Sequence, residues 1–330
     1  MINGPVRFVY YLNKLQVLLN KAAQQKNPAL WLYKNDARTS LFMLEALCKL
    51  YAKIHNKNKF TKLKDQFKLL EDTIGAIDYY DNIAKDVSTI NKIPAQVTSY
   101  LLAQTREKIQ SLNEILVEKK WLSPNNTRIK KIQKKLNKAN WLQEKEEIKA
   151  INEFYGEAIY TITEFIQTDA FRFDNIEADV HELRRRLRWL SIYPQALQGS
   201  IQLTKNKTSP EYLAKYLTKE ITASVFNKMP DAADNKSFLM LEQNYFYSLS
   251  WMIAELGKIK DKGLHVIAVK EAILQTTKLA DADAVKKTYS LLGTRQPKIE
   301  DLLKEAAGIC KIYFGEQNLE NLVVGIRSIK

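Results

Sequence analysis

Glycine is so scarce in this chain, 10 of 330 residues, that it leaves little room for any fold built on many tight turns. That is about 3%, against a usual share of roughly 7%, which argues against β-sandwiches and β-barrels. Only 8 prolines add further breaks. Between these breaks apolar residues recur every three or four positions, as in Leu41, Leu44, Leu47, Cys48 and Tyr51, the spacing that lays one face of a helix against a core. This periodicity predicts helices at about 7–25, 37–55, 60–87, 94–120, 126–138, 140–168, 176–203, 210–228, 236–262, 264–279, 281–292, 298–313 and 316–327. Pro94 and Pro210 suit first helical turns, the second with Thr208 and Ser209 as caps. Short polar breaks such as Ser123-Pro124-Asn125-Asn126 and Met229-Pro230-Asp231 separate the segments. The expected fold class is all-α.

An apolar share of 45% with 10% aromatics supports a packed core rather than disorder. The 51 lysines and arginines exceed the 37 aspartates and glutamates, giving a formal charge of +14 and favouring acidic partners. No basic-then-apolar leader is read at Met-Ile-Asn-Gly-Pro-Val-Arg, and no run nears the 18 or so apolar residues of a membrane span. A cytoplasmic location is therefore expected, and the widely separated Cys48 and Cys310 read as reduced, buried thiols. His55, His181 and His265 stand far apart with no cysteine pair beside them, so neither a metal site nor a cofactor is expected. Asp78 and Asp81 could chelate Mg²⁺, but helix-end solvation is the reading preferred. Without a Gly-rich phosphate loop or a nucleophile elbow, no catalytic residues are expected. A helical phosphate-cleaving or phosphate-transferring enzyme ranks last.

A weak internal repeat organises the chain. Leu69–Asp81 and Met252–Asp261 share an aliphatic-Gly-x-Ile pattern ending in aspartate, around Gly75 and Gly257. The reading is of two similar antiparallel helical bundles from an internal duplication, residues 1–170 as the degenerate repeat and 171–330 as the second, with an extra helix inserted near 205–236.

The second repeat contains Asp179-Val180-His181-Glu182-Leu183-Arg184-Arg185-Arg186-Leu187-Arg188-Trp189-Leu190. At about 100° per residue, His181, Arg184, Arg185 and Arg188 share one helix face. Val180, Leu183, Leu187 and Leu190 share the opposite one. Arg184 and Arg188, like charges four apart, repel by around 0.2–0.5 kcal/mol unless something anionic lies between them. Glu177 can relieve part of this. An oligoanion would relieve more, because guanidiniums offer paired donors that match phosphate oxygens.

His-Glu-Leu-Arg-x-x-x-Arg (His181, Glu182, Leu183, Arg184, Arg188), followed by Leu256-Gly257-Lys258-Ile259-Lys260-Asp261, resembles the signature of the CHAD domain, the conserved histidine α-helical domain. The resemblance implies two four-helix bundles from a duplicated unit and binding of inorganic polyphosphate by basic residues in a groove between them. The motif is specific only in the second half. The first half has Asn35-Asp36-Ala37-Arg38 and Ile74-Gly75-Ala76-Ile77-Asp78-Tyr79, and Ser191 stands where a further arginine is usual. With no triphosphate-tunnel domain, the chain reads as a divergent, stand-alone member. The expected polyanion ligands are His181, Arg184, Arg185, Arg188, Lys258, Lys260 and Arg38.

A second basic zone holds ten lysines and arginines against three glutamates between Lys119 and Lys149. Lys131, Lys134 and Lys138, with Lys130 and Lys135, line one helix whose apolar stripe is Ile129, Ile132 and Leu136. Such a strip attracts polyanions without reading sequence, so unspecific nucleic-acid binding belongs beside polyphosphate. Trp121 and Trp141 read as core. The contrasting hypothesis is a helical scaffold, or a protein-interaction module with an unidentified partner, that has kept the fold and lost the ligand.

Overall fold

A computed structural model describes residues 2–168, 170–204, 209–232, 234–294 and 296–328. Thr208, expected as a cap, lies outside the described residues. Eight helices precede the inserted region: α1 (Gly4–Ala22), α2 (Pro28–Lys34), α3 (Ala37–Ile54), α4 (Lys57–Ser88), α5 (Ala95–Glu118), α6 (Thr127–Asn137), α7 (Glu144–Thr168) and α8 (Glu182–Ala196). After it come the short α9 (Lys219–Ala223), the 34-residue α10 (Gln243–Thr276), α11 (Asp281–Leu292) and α12 (Ile299–Gly315). Side-chain caps set several starts: Asn27 accepts from Leu30 N, Asn56 from Lys59 N and Glu242 from Tyr245 N. The expected all-α architecture is the observed one, with a small sheet added.

That sheet corrects part of the sequence reading. β1 (Ile201–Leu203) pairs in parallel with β2 (Ser237–Leu241), and β2 pairs antiparallel with β3 (Val323–Ser328). Segments 237–241 and 323–327, expected as helix, are strands, because runs this short fit either period and their pairing partners lie far along the chain. The expected helix over 210–228 is instead two 3₁₀ turns (Glu211–Tyr216, Val225–Asn227) around α9. Helix α8 stops at Ala196, and Gly199 turns the chain at φ 89°, where a Cβ would strike Asp231 O at 2.1 Å.

The helices expected at 236–262 and 264–279 are joined in α10. Gly263 looks like a break but is a packing notch: a Cβ there would lie 2.8–2.9 Å from three side-chain carbons of Ile176.

One continuous core runs from Phe8, Leu12, Leu44 and Tyr51 through Tyr155, Leu187 and Leu190 to Leu256, Cys310 and Tyr313, so it draws on both halves of the chain. A smaller cluster joins α4 and α5 (Ile83, Val87, Leu101) to α10 and α11 (Val269, Ala272, Ala284). Trp121 is buried, and Trp141 packs against Phe8, Tyr51 and Phe60. Cys48 and Cys310 are buried free thiols. Deep in the core, Arg7 (3% exposed) donates from Nη1 to Glu147 Oε2 at 2.8 Å, while Tyr51 donates to Glu147 Oε1 at 2.5 Å and Arg7 Nη2 to Ser200 Oγ at 2.6 Å. Among the described residues no helix is long and apolar enough to cross a membrane.

A candidate anion-binding groove

The chain enters α8 through one wide π turn, Ile176–His181, capped by Asn175, whose Oδ1 accepts from the backbone N of Glu177 and Ala178 at 2.8 and 2.9 Å. From there Leu183, Leu187 and Leu190 are buried, as the helical period requires. The opposite side of α8 opens on a groove of about 920 Å³, walled by α3 and α4 on one side and by the π turn, α8 and α10 on the other.

Two glycine notches shape it. A Cβ on Gly257 of α10 would stand 3.0 Å from Arg184 Nε, and one on Gly75 of α4 would stand 2.6 Å from Arg38 Nη2. The bare backbone at Gly257 lets Arg184 Nε donate to Ile253 O at 3.1 Å, one turn back on the same helix. The two arginines thus rest on their respective glycines in matching fashion.

Their electrostatic partners differ. Arg38 donates to Glu71 Oε1 at 2.7 Å and to Asp78 Oδ2 at 3.3 Å. Among the described residues neither Arg184 nor Arg188 has a carboxylate within 4 Å. Arg188 lies over the Phe42 ring at 4.3 Å, and Arg38 over the same ring at 5.2 Å. Burial, then the neighbouring Arg184 and Arg38, push the Arg188 guanidinium down to about 10. Burial lowers Arg184 too, with Arg38 adding to the effect and Asp261 opposing it. The site is short of negative charge at these two side chains.

The remaining groove residues are largely paired. His181 Nδ1 lies 2.8 Å from Glu177 Oε1, and this hydrogen bond holds the Glu177 carboxyl below its usual range. Lys260 meets Asp261 at 2.6 Å. His265, beside Asp86, is held below the usual imidazole range by burial. In all, Arg38, Arg184, Arg188 and Lys260 face Glu71, Asp72, Asp78, Asp86, Glu177 and Asp261. Six carboxylates thus stand in the groove beside its four cationic side chains. Glu177 was legible beside the arginine face, whereas Glu71, Asp72, Asp78 and Asp86 on α4 and Asp261 on α10 come from segments distant in sequence that a reading of one helix face does not join to it.

Arg38, His181, Arg184, Arg188 and Lys260 come together as read from the sequence. Arg185 does not join them: it is exposed, paired with Glu182, and sits about 100° round the helix from Arg184. Lys258 is likewise exposed and paired with Glu255 at 2.6 Å, outside the groove. Phe42 was missed; its position four residues after Arg38 on α3 is the signal that could have found it.

Lys131, Lys134 and Lys138 occupy another surface. With Arg128, Lys135, Gln66 and Ile132 they line a separate pocket of about 270 Å³ in which no carboxylate takes part. Ile129, Ile132 and Leu136 anchor α6 beneath them, and Arg128 lies over Trp121 at 5.5 Å. Among the described residues no group of three or more His, Cys, Asp or Glu side chains is arranged to hold a metal ion.

Comparison of the chain with protein-family models, with curated proteins and with solved structures finds no match in any of the three.

Proposed function

We propose that this chain is a non-catalytic binding module for a phosphate-rich polyanion, inorganic polyphosphate first, held in the groove between α3–α4 and α8–α10. One observation carries the reading. Arg184 and Arg188, one turn apart and half-buried, have no carboxylate partner among the described residues, although six carboxylates line the same groove. Guanidiniums kept desolvated and unpaired cost stability unless an anion joins them, and a phosphate's oxygens match their paired donors. The Arg38–Gly75 and Arg184–Gly257 notches support descent of the two halves from one duplicated CHAD-like unit. The α6 surface would add unspecific attraction, including to nucleic acid. The two free thiols suit a reducing, cytoplasmic setting.

The second reading, a helical scaffold that has lost its ligand, is favoured by the commitment of Arg38 to Glu71 and Asp78. Titration of the chain with long-chain polyphosphate at low ionic strength separates the two. Binding that weakens steeply with salt and disappears in the R184A/R188A double variant supports the module. Absence of salt-sensitive binding supports the scaffold.

A further inference from the structure

The charge distribution along the groove narrows what it takes, and this step rests on the phosphate-binding reading above. We propose that the groove seats one compact phosphoryl group at the Arg184–Arg188 pair, either orthophosphate or the terminal group of a chain, and that a polyphosphate chain does not run along it.

Three observations on the groove support this. Among the described residues two of its cationic side chains, Arg184 and Arg188, have no carboxylate partner, since Arg38 bonds Glu71 and Asp78 and Lys260 bonds Asp261. Two guanidiniums neutralise a single phosphate dianion, whose charge is about −1.5 to −2 at neutral pH. Carboxylates also bound the pair on both sides. Glu71 is close enough to Arg188 to raise its affinity for protons, and Asp261 does the same for Arg184. Further along, the α4 wall carries Asp78 and Asp86, about 5 and 16 Å past Gly75 at roughly 1.5 Å per residue. Among the described residues Asp86 has no ion pair, and it lines the groove with His265. Along the α4 wall two carboxylates share the single charge of Arg38 and Asp86 has no ion pair among the described residues, so a chain threading past that wall meets net negative charge, whereas the first phosphate meets two free guanidiniums.

The probes are orthophosphate, pyrophosphate, tripolyphosphate and long-chain polyphosphate, with concentrations expressed as chains, titrated calorimetrically at low ionic strength. The K131Q/K134Q/K138Q variant of the full chain is used so that α6 contributes little. We expect affinity per chain to level off by tripolyphosphate, with less than about a threefold gain for the long chain. All binding should be lost in an added R184Q/R188Q pair. A further D86N change, which removes a wall charge without touching the arginines, should raise long-chain affinity several-fold, a gain that a misfolded variant cannot mimic. Affinity that climbs tenfold or more from tripolyphosphate to the long chain, still abolished by R184Q/R188Q, would overturn the inference and leave the phosphate-binding reading standing. No binding by any probe overturns that reading itself, and binding indifferent to R184Q/R188Q does the same.

Discussion

Arg184 lies in the notch left by Gly257, its Nε 3.0 Å from where a Cβ would stand and 3.1 Å from the Ile253 carbonyl oxygen it donates to. Gly257→Ala should therefore separate binding from stability. Alanine favours a helix interior by up to about 1 kcal/mol over glycine, and the arginine arm can move aside. Thermal melting should show an unchanged or slightly raised midpoint, while phosphate affinity falls. Gly263→Ala should behave oppositely, costing about 1–3 kcal/mol, because the contacts there are carbons of Ile176, a β-branched side chain buried in the core with no open space to move into. Unaltered phosphate affinity in G257A would count against a role for this notch in the site.

The Arg7–Glu147 pair is buried at both ends, with side chains 3% and 1% exposed. Removing one charge leaves the other unpaired in the core. Glu147→Ala should cost about 3–5 kcal/mol in urea unfolding, and R7M/E147L should recover much of that loss by replacing the pair with apolar volume. A double variant as unstable as E147A would show that the pair contributes more than mutual neutralisation.

Glu45 on α3 is buried, and desolvation, followed by the charges of Glu71 and Asp72, raises its carboxyl from 4.5 to about 7 against the opposing pull of Lys68 and Lys49. Between these values the folded chain holds a proton that the unfolded chain has released. Stability therefore falls as pH rises across that window and levels off above it, by an amount on the order of 3 kcal/mol. Glu45→Gln should abolish this fall and stabilise the protein at pH 8. Urea midpoints at pH 5 and pH 8 for both proteins check it, and a variant that keeps the same slope would rule Glu45 out as its source.

The α6 lysines should act on long polyanions only. In K131Q/K134Q/K138Q the salt dependence of long-chain polyphosphate or single-stranded DNA binding should become shallower by two to three units of log–log slope, roughly one per lost contact. Orthophosphate affinity should stay within about twofold. Equal losses for orthophosphate would place the compact site on α6 instead.

Much of the helical framework was legible because the information is local. Leu183, Leu187 and Leu190 declare a buried face by their spacing, and the structure buries all three. Lys131, Lys134 and Lys138 share one pocket for the same reason, since residues three and four apart on a helix are neighbours. The strands were not legible: Ser237–Leu241 is too short for its period to distinguish strand from helix, and its partners lie at Ile201–Leu203 and Val323–Ser328.

By itself the sequence determined a helical protein with an arginine-bearing face on one helix, because glycine scarcity and apolar period act within a few turns. Only the tertiary structure decided which arginines matter. Arg184 and Arg188 are set apart when α10 presents Gly257 to the first and Phe42 of α3 lies under the second, whereas Arg185 stays outside and pairs with Glu182 on its own helix. The acidic walls were decided in the same way. Glu71, Asp78 and Asp86 line the same groove as the arginines because α4 packs across from α8 and α10, and that packing comes from burial of apolar surface between segments distant in the chain, which no local spacing encodes.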